Sequence, residues 1–142
     1  MDLEGKKELM MLHMGLFKKF NTLVYERDSK LNIYPGQPQF LLLIKKFPGI
    51  TQKELADKNK TKPSSITGMI QRLEKLGYVE RVSDKEDKRI MRVYLTETGE
   101  KLANHCEKFM QDLLIRLYHN FTEEEMEQHK NILLKMYNNI KK

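Results

Sequence analysis

Apolar residues recur three or four positions apart over most of the chain, which is the spacing of one face of an α-helix. The clearest stripes lie near the two ends of the chain, where Leu9 and Leu16 belong to the first and Leu133 and Ile140 to the last. Proline, glycine and short polar turns interrupt this spacing and divide the chain into separate helices. The predicted helices cover residues 8–28, 39–47, 51–58, 63–76, 97–119 and 122 to about 140.

The spacing changes from helical to alternating after Gly77. Residues 78–83 and 90–95 place successive side chains on opposite sides, which predicts two strands. The loop between them, residues 84–89, consists of charged residues without glycine or proline, so we expect it to project into solvent. The predicted fold class is mainly α with a small β-hairpin wing, a winged helix-turn-helix flanked by long helices.

Two helix starts carry the pattern of a capping box, in which a hydroxyl side chain is followed three residues later by glutamate. Thr51 precedes Glu54 in this way, and Thr122 precedes Glu125. Pro63 suits the first turn of the helix over residues 63–76, because the missing N–H group of proline costs nothing there. These local signals fix where three of the predicted helices begin.

Composition excludes several classes of protein. The longest apolar run is residues 40–44, whereas a membrane-spanning helix needs about 20 residues. The single cysteine, Cys106, excludes an internal disulfide, and its place on an apolar helical stripe predicts an inert core residue. Residues 1–4 lack the cationic start and apolar stretch of a secretory signal. We therefore expect a cytoplasmic protein with no membrane partner.

The chain offers no recognisable catalytic, cofactor or metal site. Its glycines are scattered singly, so it has no phosphate-binding loop, and Ser64 and Ser65 have no neighbouring base. No two histidines lie three or four residues apart, so no helical pair chelates a metal ion. The sequence therefore predicts a protein that is not an enzyme and has no cofactor. A metal site is disfavoured, and the alternative that folding unites some of the histidines stays open.

Positive charge is concentrated in the middle of the chain. The net charge is +6, from 26 Lys and Arg against 20 Asp and Glu. Residues 51–95 carry eleven bases against seven acids, and residues 58–72 carry four bases and no acid. A localised basic stripe of this kind suits a polyanionic partner. On charge alone, a solvated lysine-rich face is an equally good interpretation.

The helix predicted over residues 63–76 has one apolar side and one side of small polar and basic residues. Its polar side carries Ser64, Ser65, Thr67, Gly68, Gln71, Arg72 and Lys75. Small hydroxyls and a glycine permit close approach to a DNA groove, and Gln71 and Arg72 are long enough to reach base edges or phosphates. Together with the preceding turn and the wing, this face favours DNA binding.

Residues 36–100 resemble the multiple antibiotic resistance regulator (MarR) family of winged-helix repressors. The similarity lies in residues 39–43, 51–56 and 64–79, and it continues into the wing. There the family pattern Arg-x-x-Asp-x-x-Asp-x-Arg, followed by Val-x-Leu-Thr, is kept at every position. The pattern begins at Arg81 and continues through Asp84, Asp87 and Arg89 to residues 93–96.

The resemblance implies a homodimer that faces one DNA duplex. The helix over residues 63–76 would lie in the major groove, and Arg89 would enter the flanking minor groove. Asp87 would support the wing, and Glu86 stands where many relatives carry a further arginine, so we expect wing binding here to be weaker or differently oriented. The expected DNA-binding residues are Lys62, Ser64, Ser65, Thr67, Gly68, Gln71, Arg72, Lys88 and Arg89.

The resemblance also assigns the terminal helices to dimerisation. Within a single domain of residues 1–142, we expect residues 1–34 and 97–142 to dimerise and residues 36–96 to bind DNA. The other interpretation of the terminal stripes is monomer core, but a long first helix has little to pack on alone. The expected interface residues are Leu9, Leu12, Leu16, Leu113, Leu117, Leu133, Met136 and Ile140. A symmetric dimer predicts a pseudo-palindromic operator with half-sites about 34 Å apart.

A small aromatic or lipophilic effector is the further partner that the resemblance implies. Candidate lining residues are His13, Phe17, Phe20 and Tyr25, which suit a dimer interface or a core equally well. Two alternatives to a specific DNA-binding regulator stay open. One is a winged-helix module that binds protein without specific DNA binding, and the other is a nucleic-acid coater that ignores sequence.

Overall fold

The computed structural model describes residues 1–34 and 36–141. The described residues are mostly helical with a small three-stranded antiparallel sheet, which confirms the predicted fold class. The elements are α1 (Leu3–Lys30), α2 (Gln37–Lys46), β1 (Ile50–Thr51), α3 (Gln52–Asn59), α4 (Pro63–Lys75), β2 (Val79–Ser83), β3 (Met91–Leu95), α5 (Glu97–Leu117) and α6 (Glu123–Ile140). The chain comprises two compact units, Met1–Asn104 and His105–Lys142.

The predicted boundaries of α1, α2 and α5 differ from the observed ones by two residues or more. Helix α1 begins at Leu3 instead of residue 8, because the Asp2 side chain accepts a hydrogen bond from the backbone N–H of Gly5 at 2.9 Å and caps the helix there. Helix α5 ends at Leu117 instead of residue 119. A turn follows it in which Asn120 adopts a positive φ of 63°.

The first compact unit contains a strand that the sequence did not reveal. Ile50 and Thr51 pair with Val93 and Arg92 of β3, which gives the sheet order β1-β3-β2. A strand of two residues is too short to show alternation, and Thr51 also serves as the N-cap of α3. The predicted β-hairpin is present as β2 and β3, paired from Val79 and Leu95 to Ser83 and Met91.

The core of the first unit is built from the inner faces of the sheet and of helices α2 to α5. Helix α4 contributes Ile66, Ile70 and Leu73, each with no exposed surface. The buried cluster comprises Phe40, Leu41, Ile44, Ile50, Leu55, Ala56, Ile66, Ile70, Leu73, Val79, Val93 and Ala103. Because three side chains of α4 are locked into this core, the opposite face of α4 is held towards solvent.

The predicted capping signals position α3 and α4. Thr51 accepts from the backbone N–H of Glu54 at 3.2 Å, and the Glu54 carboxylate accepts from the backbone N–H of Thr51 at 2.8 Å, which confirms the capping box. The hydrogen bonds that the Glu54 carboxylate accepts from the backbone N–H and the hydroxyl of Thr51 lower the pKa of Glu54. Lys60 adopts a positive φ of 53° in the turn, and Pro63 occupies the first turn of α4 as predicted.

The second unit contains the last part of α5, a turn, and α6. Thr122 and Glu125 form the second predicted capping box at the start of α6. The Tyr118 ring makes edge-to-face contacts with Phe121 at 5.8 Å and with His129 at 6.2 Å between ring centroids. Helix α6 has no buried residue, so its apolar side chains stay exposed in the single chain.

Candidate nucleic-acid interface

The polar side of α4 is exposed along its whole length. All of the predicted DNA-binding residues on this helix and at its start are exposed: Lys62, Ser64, Ser65, Thr67, Gly68, Gln71 and Arg72. The structure therefore brings these residues together on one solvent-facing helical surface. The Thr67 hydroxyl also donates to the carbonyl of Pro63 at 3.3 Å, a contact that sequence reasoning missed.

The N-terminal end of α4 presents positive potential. Lys62 is the N-cap but forms no side-chain capping hydrogen bond, so the first backbone N–H groups of α4 have no side-chain acceptor. The first turn, which the structure describes completely, contains no acidic residue. The helix dipole and the lack of an acidic or capping side chain thus favour an anion such as a DNA phosphate at this end.

Arg72 lies near the C-terminal end of α4 and stacks on an aromatic ring. Its guanidinium carbon is 4.6 Å from the centroid of the Tyr34 ring. Tyr34 precedes α2 and is 56% exposed, so the contact lies at the surface. Sequence reasoning placed Arg72 on the DNA-binding face but missed Tyr34 as its neighbour.

Asp84 organises the base of the wing. Its carboxylate accepts from the backbone N–H groups of Glu86 and Asp87, each at 3.0 Å, and from the Arg92 side chain. The Arg92 hydrogen bond and the two backbone hydrogen bonds lower the pKa of Asp84 to about 2. The charged carboxylate thus replaces the glycine or proline that a tight turn usually needs.

Arg92 and Arg81 tie the wing to the rest of the first unit. Arg92 also donates to the Gly49 carbonyl at 2.9 Å, which links β3 to the turn before β1. Arg81 donates to the Glu74 carboxylate at 3.0 and 2.7 Å, which links β2 to α4. Arg81 and Asp84 belong to the wing pattern in the sequence, but the pattern gave no sign of these partners.

The tip of the wing presents Arg89 in a fixed orientation. Asp87 accepts two hydrogen bonds from the Arg89 guanidinium, at 3.0 and 2.9 Å, and a third from the Arg89 backbone N–H at 3.0 Å. These bonds lower the pKa of Asp87 and raise the pKa of Arg89. The Arg89 side chain is nevertheless 90% exposed, and Lys88 beside it is also exposed. Asp87 therefore supports the side chain of Arg89 as well as the loop.

The predicted interface residues differ in how exposed they are within one chain. Leu9, Leu12 and Leu16 of α1 are exposed, as are Leu133, Met136 and Ile140 of α6. Leu117 is half-buried, and Leu113 is buried with 7% of its surface exposed. Leu113 is therefore mainly covered by its own chain, whereas the six exposed residues are available to a partner.

The four predicted effector residues all lie on α1. His13, Phe17 and Tyr25 are exposed, and Phe20 is half-buried. A cavity of about 290 Å³ lies in the second unit. Its lining residues are Tyr118, Met126, His129, Lys130, Leu133 and Leu134.

The remaining chemical predictions concern cysteine, metal and membrane. Cys106 is buried, in agreement with an inert core position. Residues 1–34 and 36–141 contain no group of three or more His, Cys, Asp or Glu placed to hold a metal ion. Among the helices of this part of the chain, none combines the length and the apolar character that crossing a membrane requires.

Comparison with known proteins relates this surface to a family. The model of the MarR family matches residues 33–91. The chain is 32% identical to the multiple antibiotic resistance protein MarR of Escherichia coli over 127 residues, which cover 89% of this chain and 88% of that protein. It is 29% identical to the HTH-type transcriptional repressor MdtR of Bacillus subtilis over 122 residues, 86% of this chain and 79% of that protein.

A solved structure of a relative shares the fold over nearly the whole chain. It is that of a cysteine-to-serine mutant of E. coli MarR in complex with operator DNA, which is 30% identical to this chain. The two structures superpose with a TM-score of 0.73, and the superposition covers 96% of this chain and 99% of the relative's chain.

Proposed function

The chain belongs to the MarR family of transcriptional regulators, and we propose that two copies of it form a homodimer that represses transcription by binding one operator duplex. Proteins of this family regulate transcription and are not enzymes, as the sequence predicted. MdtR is a repressor by name, and the related MarR structure contains operator DNA, which supports a DNA partner for this chain. A regulator of this kind would act in the cytoplasm.

The division of α4 into two faces is the observation that carries the proposal. Its apolar side is locked into the core through Ile66, Ile70 and Leu73 with no exposed surface. Its other side presents only small, polar or basic side chains, and residues 58–72 contain no acid that would repel phosphate. A rigidly held helix with such a face fits the major groove, where its side chains meet base edges.

The wing supplies a second contact to the same duplex. Arg89 projects from a loop that Asp84 and Asp87 brace through hydrogen bonds. A cationic side chain on such a projection suits the minor groove beside the region bound by α4, especially a narrow A·T-rich groove with strong negative potential. The Asp87 carboxylate occupies part of the guanidinium edge, so Arg89 would use its remaining N–H groups or exchange partners on DNA.

Exposed apolar surface on the terminal helices supports the homodimer. Leu9, Leu12 and Leu16 are 46%, 64% and 49% exposed, and Leu133 and Met136 are each 41% exposed. An apolar helical stripe that stays exposed in this way favours an interaction site in a globular protein. A homodimer is typical of the family. A two-fold symmetric dimer would read a pseudo-palindrome with half-sites about 34 Å apart.

A selection experiment tests this function. A random-sequence duplex pool is incubated with the full chain, and bound duplexes are recovered and sequenced. We expect a pseudo-palindromic consensus, and we expect affinity for it to fall about 10³- to 10⁵-fold between 50 and 200 mM salt if six to ten phosphates are contacted. Recovery of duplexes without any consensus would support a non-specific coater, and no recovery would favour a protein-binding module.

A small aromatic or lipophilic effector stays a prediction of the family resemblance. The apolar cavity near Tyr118 and His129 offers space for a small molecule in the single chain. The test is release of the selected duplex by phenolic compounds in a fluorescence anisotropy titration. Retention of the duplex across a chemically varied set of such compounds would count against this mode of regulation.

A further inference from the structure

Four arginines lie in the winged region, residues 36–96, and three of them are hydrogen-bonded to carboxylates. Arg81 is bound by Glu74, Arg89 by Asp87 and Arg92 by Asp84. Arg72 is the exception, because no carboxylate in the described part of the chain is hydrogen-bonded to it. It is held instead by the face of the Tyr34 ring, 4.6 Å from its guanidinium carbon.

The difference between these two ways of holding an arginine matters for DNA. A carboxylate pairs with the edge of the guanidinium and occupies N–H donors that a phosphate or a guanine would need. An aromatic ring attracts the guanidinium through its π face and places no carboxylate oxygen on the guanidinium edge, so the N–H donors along that edge stay available to DNA. Arg72 is therefore restrained in position while its hydrogen-bonding capacity is intact.

The backbone of Tyr34 is firmly anchored although its ring is exposed. Its N–H donates to the side-chain oxygen of Gln37 at 3.0 Å, and its carbonyl accepts from the backbone N–H of Gln37 at 3.1 Å. Gln37 has no exposed surface, and its side-chain nitrogen has no hydrogen-bond partner among residues 1–34 and 36–141. The side-chain oxygen of this buried glutamine thus fixes the backbone of Tyr34.

The turn is also fixed to the end of α1. Ile33, beside Tyr34, is buried, and its backbone N–H donates to the carbonyl of Asp28 at 2.9 Å. Asp28 and Arg27 form a buried ion pair at this end of the helix. The Tyr34 ring is therefore a platform with a rigid base on α1 and α2, next to the exposed face of α4.

We propose that Tyr34 is a positioning residue for DNA recognition, which holds the Arg72 guanidinium at the surface of α4 with its donors free for DNA. This role rests on the proposed function. An arginine that is already ordered loses less side-chain freedom on binding than a mobile one. Tyr34 thereby raises affinity through Arg72 without touching DNA itself.

The contact is tested first in the free protein by NMR. Protons near the face of an aromatic ring are shifted by its ring current, so the side-chain protons of Arg72 report directly on stacking. We expect a ring-current shift of the Arg72 side-chain protons in the wild type and in Tyr34→Phe, and we expect this shift to disappear in Tyr34→Leu. Identical Arg72 shifts in all three proteins would overturn the proposal before any DNA is added.

The role is then tested on the duplex selected by the wild type. An exposed cation–π contact predicts that Tyr34→Leu binds about two- to five-fold more weakly for each bound protomer. Tyr34→Phe keeps the ring and should bind like the wild type, and Tyr34→Trp should bind at least as tightly because indole is the best cation–π partner. Loss of affinity in Tyr34→Phe would overturn the proposal, because it would make the hydroxyl group the DNA contact.

A double-mutant cycle separates positioning from a general structural effect. In an Arg72→Ala background, Tyr34→Leu should have no further effect on affinity. An equal loss in both backgrounds would overturn the proposal, and so would unchanged affinity of Tyr34→Leu in the otherwise wild-type protein. If the wild type selects no duplex, the proposed function fails and this role fails with it, whereas normal selection with unaffected Tyr34 variants refutes this role alone.

Discussion

The winged region and the terminal helices place their apolar side chains in opposite ways. In the winged region, α2, α3, α4 and the sheet bury nearly all of theirs in one cluster, with Leu41, Leu55 and Ile66 fully covered. Along α1, Arg27 and Asp28 are the buried residues, and α6 has none. The winged region thus completes its core with residues of one chain, whereas the terminal helices carry apolar faces that one chain leaves open.

This difference indicates which part of the protein is stable by itself. Fully burying a Leu or Ile side chain contributes about 1.5–3 kcal/mol, and the winged region has many such residues. The exposed leucines and methionines of α1 and α6 contribute little until something covers them. We therefore expect folding of the winged region to be insensitive to protein concentration and the order of the terminal helices to depend on it.

The largest effect is expected on dimerisation, when a charge is placed on the exposed apolar face of α6. In the proposed dimer, Leu133→Glu removes two symmetry-related apolar contacts. Because loss of two buried leucines costs about 4 kcal/mol or more, the dissociation constant of the dimer should rise roughly 1,000-fold. Sedimentation equilibrium measures this change. Asn138→Glu adds the same charge on the polar side of α6 and should leave the dimer intact. Normal dimerisation of the Leu133→Glu protein would show that this apolar face of α6 is not part of the dimer interface.

A second substitution tests the self-sufficiency of the winged core. A Cβ atom on Gly99 would lie 1.8 Å from the carbonyl oxygen of Tyr78, so Gly99→Ala forces α5 away from the residue that precedes β2 and costs about 3 kcal/mol. Urea unfolding followed by circular dichroism measures this loss.

Gly68 provides the matched control for Gly99. It lies on the exposed side of α4 with open space around it, so Gly68→Ala should stabilise the protein by about 1 kcal/mol through helix propensity. The same methyl group should weaken binding to the selected duplex if α4 approaches DNA closely. Equal effects of the two substitutions on stability would show that the packing at Gly99 is unimportant.

A third substitution separates DNA binding from both fold and dimer. Arg89 is almost fully exposed at the wing tip, so Arg89→Ala should leave unfolding and dimerisation unchanged. Affinity for the selected duplex should fall by about 1–3 kcal/mol, roughly 5- to 150-fold. Lys85→Ala, which removes an exposed charge from the same loop, is the control. An Arg89→Ala protein with wild-type affinity would exclude the wing tip from DNA binding.

The smallest effect is expected from the titration of Asp84. Its pKa is depressed to about 2, against an ordinary value of 3.8. A depressed pKa means that the carboxylate stabilises the wing fully above about pH 4 and that this contribution is lost as the pH falls through about 2. Carboxyl NMR of the wild type should show this low midpoint.

Asp84→Asn should remove the component of the wing amide titration that has this low midpoint and leave the titration of Asp87 in place, while Asp57→Asn on α3 should keep both. A midpoint near the ordinary aspartate value in the wild type would mean that Asp84 does not hold the wing in solution.

Local features of the fold were predictable because their causes are close in sequence. The capping boxes at Thr51 and Thr122 each need two residues three positions apart, and both form as expected. The buried face of α4 follows from helical spacing alone. The strand β1 was missed because its identity depends on pairing with Val93, a residue far along the chain.

The site shows the same division between local and long-range causes. Residue types and spacing placed the polar face of α4 and the charged wing, and the wing pattern carried the resemblance to the MarR family. Only the tertiary structure decided that Tyr34 holds Arg72 and that Arg92 reaches the Gly49 carbonyl, 43 residues away. These contacts join side chains whose proximity is created by packing of the core, and no periodicity or local motif records which residues such packing brings together.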